Sequence, residues 1–261
     1  MEQIKINCLN LGFPPKGLGF TIEEQDSILL YAIKLEDFIA HISYLSGLCS
    51  PIELARSRRY LSETDNHRFV VTRGLLRMVL AKILQTEPQL IKIGIGENKK
   101  PQLKENPLGI SFNISHTSEY AMIAVSKTLI GVDVEDALNV IDYPPIMEAC
   151  FSMNEIIFVR TQADALKAFY TIWTRKESIL KLIGKGIDDD MKQIEVLNGM
   201  NSIDSIVFLQ EDRTYQIATF ELPEGKIASL ACLATVDLEH VKFVNLNSEI
   251  FKVEQNDPIN V

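Results

Sequence analysis

The hexapeptide Gly-Val-Asp-Val-Glu-Asp at residues 131–136 sets Asp133, Glu135 and Asp136 within four positions, directly after the largely apolar run 120–130. Successive side chains of a strand point to opposite faces, so Asp133 and Glu135 share one face and Val132 and Val134 the other. Two carboxylates placed this way repel each other unless a cation or basic groups stand between them. Two readings stay open at this point. The strand end runs into solvent, where acids are hydrated and harmless. Alternatively it forms a hard-cation site, since Mg²⁺ takes oxygen ligands and combines one or two carboxylates with substrate phosphates.

A second group lies in the nonapeptide 173–181, WTRKESILK. Trp173, Glu177 and Lys181 fall four residues apart and stack on one face of a helix. Glu and Lys at this spacing are ordinarily a surface ion pair worth about 0.3–0.5 kcal/mol. A tryptophan on the same stripe argues otherwise: a large aromatic buries, so the stripe points at protein or at a ligand. A third group is FNISHTSEY, residues 112–120. Alternation puts Phe112, Ile114 and His116 on one face and Asn113 and Ser115 on the other. His116 fits either a satisfied core histidine or a phosphate contact. Lys99 and Lys100 precede Pro101 in an expected turn.

The elements that must carry these groups follow from periodicity. The first 26 residues, with Pro14 and Pro15, read as irregular. Residues 27–35 read as a strand and 51–61 as a short helix. Thr64 or Asp65 is expected to cap a long helix through residue 84. Strands are expected at 91–95, 109–115, 120–126 and 130–134. Ser152 and Glu155 form a capping-box pattern for a short helix. Residues 163–184 read as a second long helix, closed by Gly184 and Gly186. Strands follow at 205–210, 214–222, 226–234 and 240–246. Each half thus gives a long helix and several mostly antiparallel strands. The fold class is therefore α+β, as two related halves divided at 128/129.

Bulk properties narrow the function classes. Of 261 residues, 46% are hydrophobic and 23% charged, which excludes global disorder and supports a sizeable core. A net charge of −9 argues against general nucleic-acid binding. The charge is uneven: residues 53–104 hold eleven basic side chains against five acids, which leaves the remainder at −15. One basic segment in an acidic chain suits an anionic small ligand or an acidic partner. No apolar run is long enough to span a bilayer, and the N-terminus lacks a signal-peptide pattern. The four cysteines (Cys8, Cys49, Cys150, Cys232) are scattered, as expected of reduced thiols in a cytoplasmic protein.

In order and spacing, KKPQL, FNISH, GVDVED and WTRKESILKLIGKG resemble the 4'-phosphopantetheinyl transferases of the surfactin-synthetase-activating type. The likeness covers roughly residues 53–187. It implies two similar halves, each a long helix on a small, mostly antiparallel sheet and related by a pseudo-twofold axis, around a cleft. It implies transfer of the phosphopantetheine arm of coenzyme A to a serine of an apo acyl or peptidyl carrier protein, with release of adenosine 3',5'-bisphosphate. Mg²⁺ would be held by Asp133, Glu135 and Glu177. Glu177 would act as base, directly or through a water, and Lys181 would neutralise or protonate the leaving phosphate. Arg56, Lys100, Pro101, Asn113, Ser115, His116 and Lys181 would contact coenzyme A. One departure stands out: where the family has glycine before the Lys-Pro pair, this chain has Lys99, which resists turn conformations that glycine permits. A monomer is expected, since one chain already builds both halves. A metal-dependent phosphodiesterase would need a further Asp/His cluster that the sequence lacks. A non-catalytic coenzyme A or carrier-binding module would not need Glu177 and Lys181.

Overall fold

The computed structural model describes residues 3–12, 27–96, 100–186, 189–204, 213–238, 241–248 and 250–251. Two mixed sheets pack face to face, each with a long helix on its outer side. The first has the order β11-β2-β6-β5, with β2 at Ile28–Lys34, β5 at Ser111–His116, β6 at Tyr120–Ser126 and β11 at Val241–Leu246. The second has the order β7-β10-β9-β1-β8: β1 is Gln3–Gly12, β7 Ile130–Asp136, β8 Gly199–Asp204, β9 Thr214–Leu222 and β10 Lys226–Leu233. A two-stranded ribbon, β3 (Ile93–Ile95) with β4 (Pro101–Leu103), leads into β5.

Strand alternation sorts side chains between three cores. In β2, Leu29, Tyr31 and Ile33 face the long helix α3 (Glu63–Leu84) and the short helix α1 (Ile42–Leu48), while Ile28, Leu30 and Ala32 face the other sheet. That inter-sheet layer also takes Val132 and Val134 from β7. The third core lies under α6 (Ala165–Ile183), with α4 (Pro144–Cys150) and α5 (Met153–Thr161) beside it. A strand buried on both faces reads as a continuous apolar run rather than an alternating one, which explains β2.

Several expectations change. The N-terminal stretch expected to be irregular contains β1, whose Ile4, Ile6 and Cys8 alternate into the core. It pairs antiparallel with β8 and parallel with β9, while β11 pairs parallel with β2. Each terminal strand therefore joins the sheet of the opposite half, and a division at 128/129 separates the long helices but not the sheets. The cap of α3 is Ser62, whose hydroxyl accepts from the Asp65 N–H, not Thr64 or Asp65. The short helix expected at 51–61 is α2, Pro51–Ser57, closed at its start by a Ser50–Glu53 capping box. The strand expected at 205–210 and Lys99 lie outside the described residues.

Helix α6 seats directly on β7 at Gly131. A Cβ there would come 2.0 Å from the Ser178 carbonyl and 2.5 Å from the Leu182 nitrogen, both backbone atoms that cannot swing aside. Gly131→Ala is therefore expected to lower stability by about 1–3 kcal/mol or more, read as a fall in the denaturation midpoint. An unchanged midpoint would contradict this close seating.

Candidate active site

The acids of β7 face a helix, not water. With Val132 and Val134 committed to the inter-sheet core, Asp133 and Glu135 must point at α6. The Trp173–Glu177–Lys181 stripe of α6 meets them. Trp173 Nε1 donates to Glu135 Oε1 at 3.3 Å, and Lys181 Nζ donates to Asp133 Oδ1 at 2.6 Å. The partner of Lys181 is thus Asp133 across the gap, not Glu177 one turn back.

The edges of the two sheets meet beside this contact. Asn113 Oδ1 accepts from the Val132 N–H at 2.8 Å, which stitches β5 to β7. One position pair further along, Ser115 Oγ donates to Asp133 Oδ1 at 2.8 Å and accepts from Lys181 Nζ at 3.0 Å. The polar face of FNISH is therefore the one turned into the site. Asn113 ties strands together, whereas Ser115 touches the acid and the lysine.

The electrostatics are unbalanced. Burial, then Asp133, pushes the Glu135 carboxyl up to about 7. Burial also raises Glu177, with Lys181 opposing and Asp133 adding to the rise. Asp133 is 3% exposed, and its Oδ2 is buried with no hydrogen-bond partner. An orphaned buried carboxylate oxygen costs about 1–3 kcal/mol or more unless something binds it. Three mutually repelling acids around such an atom fit an oxygen-seeking dication such as Mg²⁺. Among the described residues, no three His, Cys, Asp or Glu side chains are already gathered as a metal cage. Lys181 holds the cationic place beside Asp133.

Basic groups line the other wall. A pocket of about 210 Å³ is bordered by Lys100, Pro101, Phe112, Asn113, Ile114, Lys181 and the Gly184–Gly186 turn. Lys100 Nζ donates to the Ile130 and Leu182 carbonyls at 3.1 and 3.3 Å, and burial lowers its pKa to about 8. His116 lies at the exposed end of β5; the protein packed around it, then Arg68, with Lys181 and Arg73, lowers its pKa. Arg56 and Arg73 both lie against the Phe69 ring, each 5.4 Å from its centre. Arg73 was not singled out by its sequence, yet it is 8% exposed with no carboxylate paired to it among the described residues. Arginine at a helical spacing gives no signal of burial, so only the packing exposes it.

Other charged members of the same segments are structural. Asp136, the third acid of the hexapeptide, is held by Lys226 at 2.9 Å. Lys176 is wholly buried against Glu155 at 2.8 Å and donates to the Met191 and Ile194 carbonyls. Arg77 grips Glu53 and the Pro88 and Ile91 carbonyls, fixing α2 on α3.

Two family descriptions and several known proteins match the chain. Residues 36–128 match the family description "4'-phosphopantetheinyl transferase, N-terminal", and residues 129–232 match "4'-phosphopantetheinyl transferase superfamily". The chain is 32% identical over 176 residues to the 4'-phosphopantetheinyl transferase HetI of Nostoc sp., which spans 66% of this chain and 74% of that protein. It is 34% identical over 147 residues to the transferase gsp of Aneurinibacillus migulanus, spanning 56% of this chain and 60% of that one. To the transferase Sfp of Bacillus subtilis it is 26% identical over 178 residues, covering 67% and 78%. No helix among the described residues is long and apolar enough to cross a membrane.

Proposed function

Because the chain belongs to the 4'-phosphopantetheinyl transferases, we propose that it moves the phosphopantetheine arm of coenzyme A onto a serine of an apo acyl or peptidyl carrier protein. The observation that carries this reading is the facing of an acidic wall, Asp133, Glu135 and Glu177, by a basic one, with Lys181 between them. Coenzyme A holds a pyrophosphate and a 3'-phosphate, so its site needs both kinds of wall.

Asp133, Glu135 and Glu177 would hold Mg²⁺, which supplies charge neutralisation and polarisation at the pyrophosphate when bound. The rest falls to the chain's own side chains. Ser115, His116 and Lys100 bind phosphate oxygens, and Arg56 with Arg73 holds a further phosphate. Glu177 has its pKa raised by burial. It is therefore a better proton acceptor for the carrier serine hydroxyl than an ordinary carboxylate. Lys181 stands where charge develops on the leaving bisphosphate and stabilises it or gives it a proton. In the free protein the same ammonium partners Asp133, so it is kept in place between turnovers.

The direct test is incubation with an apo carrier protein, coenzyme A and Mg²⁺, followed by mass spectrometry of the carrier. A gain of one phosphopantetheine that chelator abolishes is expected; no gain with acyl or peptidyl carriers would refute the reading. His116→Ala is expected to raise KM for coenzyme A about tenfold with kcat little changed, as loss of uniform phosphate binding does. An unchanged KM would remove His116 from the phosphate contacts.

A further inference from the structure

The turn between β9 and β10, Pro223–Gly225, contacts the end of β2 in the other sheet and the residues that follow β7. Glu224 has φ of 60° and Gly225 φ of 70°. The left-handed conformation at Glu224 costs about 1–2 kcal/mol for an L side chain, so neighbouring contacts must hold it. Lys34, at the end of β2, does so at 2.7 Å. Gly225 accepts from the Ala137 N–H at 3.0 Å, and a Cβ there would collide with Leu138 at 2.5 Å. The side chain of the next residue, Lys226, is 3% exposed. Its Nζ lies 2.9 Å from Asp136 Oδ2 and 2.8 Å from Glu119 Oε2.

These two carboxylates belong to different walls. Asp136 sits opposite Lys226 on the neighbouring strand, next to Glu135. Glu119 lies in the turn between β5 and β6, three residues after His116. A buried ammonium between them is a firmer tie than two solvated charges would make. We propose that Lys226 is a positioning residue that fixes the spacing of the basic and acidic walls, and thereby sets affinity for coenzyme A. This rests on the reading of the cleft as a coenzyme A site. Lys226 does not itself border the cleft pocket; it acts through the ends of β5 and β7. A ligand gripped from both walls gains from their being preset, and a displacement of about 1 Å costs heavily in such sites.

Glu119→Gln tests this, since it removes the ion pair between Lys226 and the β5–β6 turn, leaves Lys226 paired with Asp136, and alters a side chain that is 56% exposed. Its expected result is a rise of about five- to tenfold in both KM for coenzyme A and the calorimetric Kd, with kcat within about twofold and the melting curve unmoved. Lys226→Met is expected to shift the same two constants further, and Lys226→Arg to recover most of the affinity. Wild-type constants in Glu119→Gln would overturn the proposal alone, as would a rise confined to the carrier protein's KM. Absence of coenzyme A binding by the wild-type protein would overturn the site reading and the proposal together.

Discussion

Asp133→Ala is expected to cut transfer by about 10²–10⁴-fold while the protein stays folded. Asp133 Oδ1 gathers Lys181 and Ser115, one from each wall, and its Oδ2 lies buried without a partner. Removing the carboxylate frees Lys181 from its place and takes away an oxygen that a dication would use. It also removes one of the charges that raise Glu135 and Glu177, so both would titrate nearer the ordinary carboxylate range. The effect on stability is small for an opposite reason. Two hydrogen bonds are lost, but so is the desolvation cost of the orphaned oxygen, and these contributions are of similar size, about 1–3 kcal/mol each. Glu177→Ala is expected to act in the same direction. Steady-state kinetics beside thermal melts would separate activity from folding. Wild-type rates in both variants would show that the acids are not the reacting site.

Lys176→Met is expected to do the reverse, destabilising the fold by about 3–5 kcal/mol. Lys176 neighbours Glu177 in sequence but points to the other side of α6, where both it and Glu155 are wholly buried. Burial lowers the lysine's pKa and raises the glutamate's, and each partner's charge opposes that drift. Among the described residues, the substitution leaves Glu155 with the Ser152 and Val196 N–H groups, and it takes the lysine donor from the Ile194 carbonyl and from the Met191 carbonyl, which keeps the Ile194 N–H. Denaturant unfolding would measure the loss. At a temperature where the variant remains folded, kcat is expected to stay near that of the wild type. A large fall in kcat with unchanged stability would instead move Lys176 into the reacting site.

The legible parts of this protein are those where local pattern and global fold agree. The stripe Trp173, Glu177, Lys181 and the pair Asp133, Glu135 follow from helical and strand periods alone; Trp173 turns the stripe toward a partner, while the periods leave the acid pair open between solvent and a cation. The two long helices, the Ser152–Glu155 capping box and most strands of the two sheets follow from equally local patterns. Other features depend on residues far apart in the chain. β1 reads as irregular because an amphipathic decapeptide near prolines carries no record of the strands it will join, β8 and β9. Ser62 rather than Thr64 caps α3, a difference of one hydroxyl among several.

The sequence by itself determined which side chains could do chemistry and which face of each element carries them, because a residue's direction on a helix or strand is fixed by its own backbone geometry. Only the tertiary structure decided which acid Lys181 would meet, that Arg73 would be buried without a carboxylate paired to it among the described residues, and that Lys226 would span two sheets. Those outcomes depend on distances between segments as far apart in the chain as Glu119 and Lys226. Local periodicity holds no information about such distances, and close packing settles them.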